Sequence, residues 1–461
     1  MYDIENRRNR SRLLVTDNRE DCPLKDRKRR RMMRPSWIVL FFVLLSELVN
    51  IPKLPLRMQI CGALQILLTL PMIWLGAVAV LGLTRRRKSF PLVRKQNRFA
   101  IVVCARNEEK ALPSLLESIR RADYPSGALH VFLLADHCTD RTAAIGRRYP
   151  FVTVYERQSG PTTGKGAVLN WGIPRIYREY GNTFDAAAVF DADNVIRRDF
   201  FTQINAQLNA GDEIIQGNRL GGKPYTSLIT RWYTLYWSCY STFFSYAREK
   251  LGLSAFLTGT GFVVTKSVLE NGWHTKSITE DVEFTIQNCL QGRRTAFCVS
   301  AVCYDEQPWQ VGVMFSQLSR WCTGSYQILR RYLAEFFRNR TEKRKLTGRD
   351  VLIRIDVLML LVMGPVSWMG FVLTLVNGFF MWKYWQVIFW LSLIISGLGL
   401  LAAFVPIAGA AKFNRIEIRT MLPAIITFPV FMFFYMICSI RACFFPALGW
   451  KKIEHKALDV Q

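Results

Sequence analysis

Residues 60–83, 357–381, 385–409 and 420–440 are apolar runs about as long as the ~20 residues a helix needs to cross a bilayer. A further run, 36–51, is shorter and carries Glu47, and it is read as an additional span. Between the two groups of runs, 95–345 has ordinary globular composition. Such a chain is constrained to fold as a domain held between membrane helices. The expected order is a basic arm at 1–35, two helices in 36–83, the domain at 95–345, about three helices in 351–445, and a tail at 446–461.

Charge supports that layout. The net charge is +26, and the excess is clustered. Residues 1–35 hold twelve Lys or Arg against six Asp or Glu; Arg85–Lys88 follow one apolar run and Lys343–Lys345 precede another. Basic clusters beside spans face anionic lipid on the cytoplasmic side, which puts the domain there. Three later spans would leave the C-terminus outside, whereas Lys451, Lys452 and Lys456 argue for inside. Nucleic-acid binding would also use basic blocks, but these track membrane edges and no nucleic-acid motif accompanies them, so no nucleic-acid partner is expected. The eleven cysteines form no CxxC pair, and His130, His137, His274 and His455 lack zinc-ligand spacing. The long charged arm ahead of the first apolar run, with no small-residue cleavage site after it, gives no cleavable leader.

Within the domain, short apolar runs at Phe99–Cys104, His130–Ala135 and Ala186–Phe190 alternate with helix-like segments such as the one bearing Leu112, Leu115, Leu116 and Ile119. This predicts an α/β fold with a mostly parallel sheet, in which ligands bind at the carboxyl ends of the strands. Polar residues gather there. Arg106-Asn107-Glu108 follows the first run, Asp136 ends the second, and Asp191-Ala192-Asp193 follows the third. Two acids one residue apart at a strand end can share a magnesium ion with diphosphate oxygens, because that ion favours one or two carboxylates plus phosphates. By itself the pattern is common, and a turn with capping acids is its plain alternative. Gly164-Lys165-Gly166 offers a lysine and close backbone approach to a phosphate. Thr279-Glu280-Asp281 and Gln317-Leu318-Ser319-Arg320-Trp321 come later, the last just before a basic flank.

At these residues the chain resembles the processive members of glycosyltransferase family 2, the cellulose, hyaluronan and chitin synthases and their bacterial relatives. An acid after the second strand, DxD, TED and Q-x-x-R-W occur in that order across about 99–335. The resemblance implies a GT-A type nucleotide-sugar-binding domain inserted between transmembrane helices. It implies that Asp136 and Arg106, Asn107 and Glu108 hold uridine, that Asp191 and Asp193 bind diphosphate with Mg2+ or Mn2+, and that Asp281 is the general base. Gln317 and Arg320 would contact the diphosphate, and Trp321 would sit under the acceptor sugar. Phe256–Gly261 corresponds to an acceptor loop, with Gly259, Thr260 and Glu280 on the acceptor side.

The implied activity is inverting, processive transfer of hexose or N-acetylhexosamine from a UDP-sugar donor to a growing polysaccharide, with export across the lipid membrane. The alternative is a non-processive enzyme acting on a lipid carrier or short glycan. A transporter with a soluble domain is a third class. It is disfavoured because no acids recur inside the spans; Glu47 and Asp356 sit near their ends. An export path needs polar side chains within the spans, and Ser367, Thr374, Asn377, Ser392 and Ser396 are the candidates. The aromatic run Trp232–Tyr246 is expected as a helix at the membrane face, with lining of the acceptor path as its other reading.

Overall fold

The computed structural model describes residues 56–447 except 87, 88, 92, 161, 163, 224, 271, 339–344 and 381–403. The expected arm 1–35, the run 36–51, most of the run 385–409 and nearly all of the tail lie outside the described residues.

The strands are β1 (Phe99–Ala105), β2 (Leu129–Asp136), β3 (Val152–Arg157), β4 (Ala186–Asp191), β5 (Val195–Ile196), β6 (Ile214–Gly221), β7 (Phe262–Thr265) and β8 (Thr295–Asp305). They form one sheet in the order β3-β2-β1-β4-β7-β6-β8-β5. β1 pairs in parallel with β2 and β4, and β2 with β3. Both faces of β1, β2 and β4 are covered, so these three read as nearly unbroken apolar runs. In β1, Phe99, Ile101 and Val103 pack in the core on one face, and Ala100 and Val102 in the core on the other.

The sheet is mixed rather than mostly parallel. β7 lies antiparallel between β4 and β6. The reason is local: β7 begins straight after the loop Thr258–Gly261, which lies at the carboxylate edge, so the strand must run back from that edge.

The helices used below are α1 (Leu56–Thr84), α2 (Leu112–Arg120), α3 (Lys165–Tyr180), α4 (Phe200–Asn209), α5 (Leu228–Cys239), α6 (Glu280–Leu290), α7 (Val311–Phe336), α8 (Gly348–Leu361), α9 (Met363–Phe380) and α10 (Ile418–Phe444). α2, α3 and α4 cover the sheet. α1, from Gln59, and α10 are long and apolar enough to cross a membrane. Leu67, Leu70 and Met72 on α1 and Ile426, Val430 and Phe433 on α10 remain exposed, as lipid-facing side chains do. The run 357–381 is not one straight helix: α8 and α9 meet at a 53° bend. Gly364 and Pro365 follow the break, and Pro365 has no N–H to carry the helical ladder back to Leu361.

A buried ion pair joins these helices to the domain. Arg248 donates from Nε to Asp356 Oδ2 at 2.8 Å and from Nη2 to Oδ1 at 3.0 Å, and Trp74 Nε1 donates to the same Oδ1 at 2.9 Å. Both ion-pair side chains are completely buried. Asp356, read from sequence as lying near a span end, is therefore a structural tie between α1, α8 and the helical segment Ala247–Leu251.

The aromatic run forms α5 and continues through a π-helical turn, Tyr240–Tyr246. Trp232, Tyr233 and Tyr236 pack on Phe431 of α10, and Trp232 Nε1 donates to Thr427 Oγ1 at 2.9 Å. The run packs against an apolar helix on one side and lines a cavity on the other.

Candidate active site

Strand register brings the polar loops together. Ala105 is opposite Ala135, Cys104 is opposite Asp191, and Asp136 is opposite Arg157. The residues that follow β1, β2 and β4 therefore emerge at one edge. There the chain turns sharply: Asn107 and His137 have φ of 58° and 49°. Arg157 Nη1 donates to Asp136 Oδ1, and His137 Nδ1 lies 2.9 Å from the same oxygen. The Asp136 carboxylate is thus held in place at the cavity wall.

Gly164, at φ 129°, precedes the first residue of α3. That residue is Lys165, whose Nζ donates to Asp191 Oδ1 at 2.6 Å and to the Gly259 carbonyl at 2.8 Å. Burial by itself would depress the lysine pKa, but the Asp191 and Glu280 carboxylates outweigh it and hold the amine above its ordinary value.

Glu280 and Asp281 open α6, where the helix dipole favours negative charge. Burial raises both carboxyls. The neighbouring Asp281 adds to the effect on Glu280, which is pushed up to about 8. The Val282 N–H, Lys165 and Arg219 pull against the rise at Asp281. Of the two, Asp281 is the better carboxylate and Glu280 the better proton holder. Gln317, Arg320 and Trp321 stand three and four residues apart on α7, hence on one face. α7 reaches the Thr279–Asp281 segment through Gly324, where a Cβ would lie 2.1 Å from Thr279 Oγ1.

One cavity of about 770 Å3 collects these groups. Arg106, Glu108, Asp136, Lys165, Asp191, Asp193, Gly259, Glu280, Asp281, Gln317, Arg320 and Trp321 all line it. Asn107 and Thr260 do not. The Asn107 Oδ1 accepts from the Thr139 N–H at 2.7 Å and ties the first two loops together. Thr260 is fully buried; its Oγ1 accepts from the Asp191 N–H at 3.0 Å and donates to Asn194. Their positions give both a supporting place behind the wall.

The cavity has two unlike arms. At the carboxylate arm, Gln317 Oε1, Thr258 Oγ1, Thr279 Oγ1 and Trp237 Nε1 are buried and make no hydrogen bond among the described residues. The other arm runs between the apolar helices, past Leu360, Leu361, Met363, Pro365, Phe428, Met432 and Met436. Hydroxyls there already have partners: Tyr326 Oη accepts from Trp368 Nε1 at 2.7 Å and lies 3.2 Å from Ser439 Oγ, and Ser367 Oγ donates to the Met363 carbonyl at 2.7 Å.

Among the carboxylates lining the cavity, Asp191 and Asp193 stand one residue apart at the end of β4. No group of three or more His, Cys, Asp or Glu among the described residues is arranged to hold a metal. Two carboxylates one residue apart are the donor set a divalent cation takes when diphosphate oxygens complete its shell, although the Lys165 ammonium, 2.6 Å from Asp191 Oδ1, already engages one of those carboxylate oxygens.

A family model described as glycosyltransferase-like family 2 matches residues 96–324. This segment is a family 2 glycosyltransferase domain. Its fold is of the GT-A type: the mannosyltransferase PcManGT from Pyrobaculum calidifontis, solved in complex with GDP-Man and Mn2+, aligns with TM-score 0.56 at 15% identity, over 83% of this chain and 99% of that one. The glycosyltransferase domain also matches a probable glycosyltransferase, YdaM, of Bacillus subtilis (25% identity, 52% of this chain and 58% of the relative). It matches a beta-monoglucosyldiacylglycerol synthase of Nostoc (25%, 53% of each) and a poly-beta-1,6-N-acetyl-D-glucosamine synthase of Staphylococcus epidermidis (24%, 49% and 54%). The chain spans a little over half the length of these relatives.

One wall residue of the glycosyltransferase domain, Arg219, has no motif to announce it. Arg219 lines the cavity from β6, and Tyr236, Trp237 and Tyr240 line it from the aromatic helix. The available signal was a lone arginine inside the otherwise buried strand Ile214–Gly221.

Proposed function

We propose that this chain is an inverting hexosyltransferase that moves a hexose or N-acetylhexosamine from a UDP-sugar to a hydroxyl of a membrane-borne acceptor. The observation that carries the reading is the single cavity running from Asp191, Asp193 and Asp281 to the apolar helices. Asp136, Arg106 and Glu108 line the end that takes the uridine, with Asn107 bracing their loop. Asp191 and Asp193 would hold Mg2+ or Mn2+ against the diphosphate, and that ion would stabilise the leaving group's charge. Lys165, Gln317 and Arg320 supply further donors toward the same oxygens. Asp281 takes the proton of the acceptor hydroxyl as its oxygen bonds to the anomeric carbon; the bond to the diphosphate breaks and UDP leaves. No covalent intermediate is needed, so the anomeric configuration inverts. Trp321 offers a face to the acceptor sugar, with Glu280 and Gly259 beside it. Basic flanks on the spans support a multi-pass cell-membrane protein with the catalytic domain in the cytoplasm.

Two acceptors suit this arrangement, and the names of two relatives reflect both. Processive growth of a β-linked polysaccharide with export is supported by Gln317, Arg320 and Trp321, which line the cavity that also meets the apolar helices. An export path, however, calls for polar groups ready to bond sugar hydroxyls. Of the five candidates, Ser367 and Thr374 donate to carbonyls of their own helix, at 2.7 and 2.9 Å, while the side chain of Asn377, and Ser392 and Ser396, lie outside the described residues. The apolar wall of the membrane arm favours an acceptor with a hydrocarbon part, a glycan or headgroup borne on lipid. The test is to supply radiolabelled UDP-glucose and UDP-N-acetylglucosamine in turn to protein in lipid nanodiscs and partition the product. Label in the organic phase supports the lipid-borne acceptor; label in long water-soluble chains supports the processive reading; UDP release without transfer contradicts both.

A further inference from the structure

Arg219 lines the cavity and has no part in the chemistry set out above. Its side chain is 13% exposed and that of Asp305 is 2% exposed. Nε donates to Asp305 Oδ2 at 2.7 Å, and Nη2 donates to the same oxygen. Nη1 donates to the Thr258 carbonyl. The guanidinium carbon lies 4.2 Å from the centre of the Trp237 ring. One planar group thus grips a strand-end acid, a loop carbonyl and an aromatic face, a combination that an ammonium cannot reproduce.

Each partner leads to the reacting centre. Thr258 precedes Gly259, at φ 87°, where a Cβ would lie 3.5 Å from Asp281 Oδ2 and 3.8 Å from Arg219 Nη1. The Asp281 carboxylate and the arginine therefore both lie against the Cβ position of one glycine. Trp237 in turn meets Trp321 edge to face, with ring centres 5.6 Å apart at 71°.

We propose that Arg219, clamped by Asp305, is a positioning residue that sets the acceptor platform Trp237–Trp321 at a fixed place relative to Asp281. The proposal rests on Asp281 being the base. The charged and titratable groups around Asp281 are Glu280 on α6, Lys165 on α3, Arg219 on β6, Arg320 on α7 and Tyr240 in the π-helical turn. Removing Arg219 takes a positive charge from that set, so Asp281 holds its proton to higher pH.

The experiment uses the full chain in lipid nanodiscs, with UDP-glucose or UDP-N-acetylglucosamine as donor, whichever is turned over, and a total lipid extract as acceptor. Arg219→Gln is expected to leave UDP affinity within ~2-fold, to raise the acceptor KM by ~10-fold, and to move the acid limb of kcat upward by about one pH unit. Arg219→Lys should return the acid limb but keep the high acceptor KM. If Arg219→Gln does not fold, Arg219→Lys and Asp305→Asn carry the KM measurement. An unchanged acceptor KM in folded variants, with only thermal stability lowered, would overturn the proposal. Asp281→Asn is run in parallel: wild-type turnover there defeats the reading of the base, while the acceptor KM still judges Arg219.

Discussion

The Lys165 ammonium lies 2.6 Å from Asp191 Oδ1 and bridges it to the Gly259 carbonyl. The first acid of the DxD therefore carries a protein cation at the oxygen a metal ion would use. Lys165→Met should let Mn2+ bind more tightly without nucleotide, because no ammonium competes for that oxygen. The same change should weaken UDP binding by about tenfold, the loss of one charged hydrogen bond. Electron paramagnetic resonance titration of Mn2+ reads the first effect and calorimetry with UDP the second. Unaltered Mn2+ affinity would separate Lys165 from the metal site.

Asp281→Asn should reduce turnover by two or more orders of magnitude, on the scale of ~10²–10⁴ that general acid–base catalysis supplies. Donor binding should persist, since the role proposed for Asp281 is toward the acceptor hydroxyl. Near wild-type turnover would remove Asp281 from the role.

The pH dependence follows from the pair. Activity should rise as Asp281 loses its proton, because the base works as a carboxylate. It should fall as Glu280 ionises near pH about 8, where a proton facing the acceptor is lost and a second charge appears beside Asp281. Glu280→Gln keeps a neutral donor there, so the alkaline limb should disappear from its pH–rate profile. A limb that stays in place would assign it to another group.

The Arg248–Asp356 pair is completely buried and is bonded by Trp74 as well. Removing one partner strands a buried charge. Asp356→Ala should therefore cost about 3–5 kcal/mol, read as a lowered unfolding midpoint in detergent. The double variant Arg248→Met with Asp356→Leu should recover much of that loss; no recovery would mean that the pair's geometry rather than its charge is what matters.

Much of the carboxylate edge was legible in the sequence. Strands β1, β2 and β4 are buried on both faces, so each reads as an apolar run that stops where Arg106, Asp136 and Asp191 begin. The order of the later motifs carried Asp281 and Arg320 to the same place. Antiparallel β7 was not legible, because its direction follows from where Thr258–Gly261 lies in space. Arg219 and Asp305 are 86 positions apart and meet only through the pairing of β6 with β8. The bend between α8 and α9 lies inside an unbroken apolar run. Hydropathy does not report it, although Gly364 and Pro365 mark it in retrospect. Nor could composition divide the cavity into a polar arm and an apolar one, since that depends on which hydroxyls are already bonded.

The central claim is transfer from a UDP-sugar onto an acceptor whose apolar part lies between the membrane helices. It is tested most directly by cross-linking. Met432 and Met436 line the membrane arm, so a diacylglycerol with a photoreactive acyl chain is incubated with the full chain in nanodiscs, irradiated, and mapped by mass spectrometry. The account predicts labelling of α10 around Met432–Met436, suppressed by unlabelled acceptor lipid, together with label from the UDP-sugar in an organic-soluble β-linked product. Labelling confined to the outward side chains of α10, with sugar found only in long water-soluble chains, would contradict it.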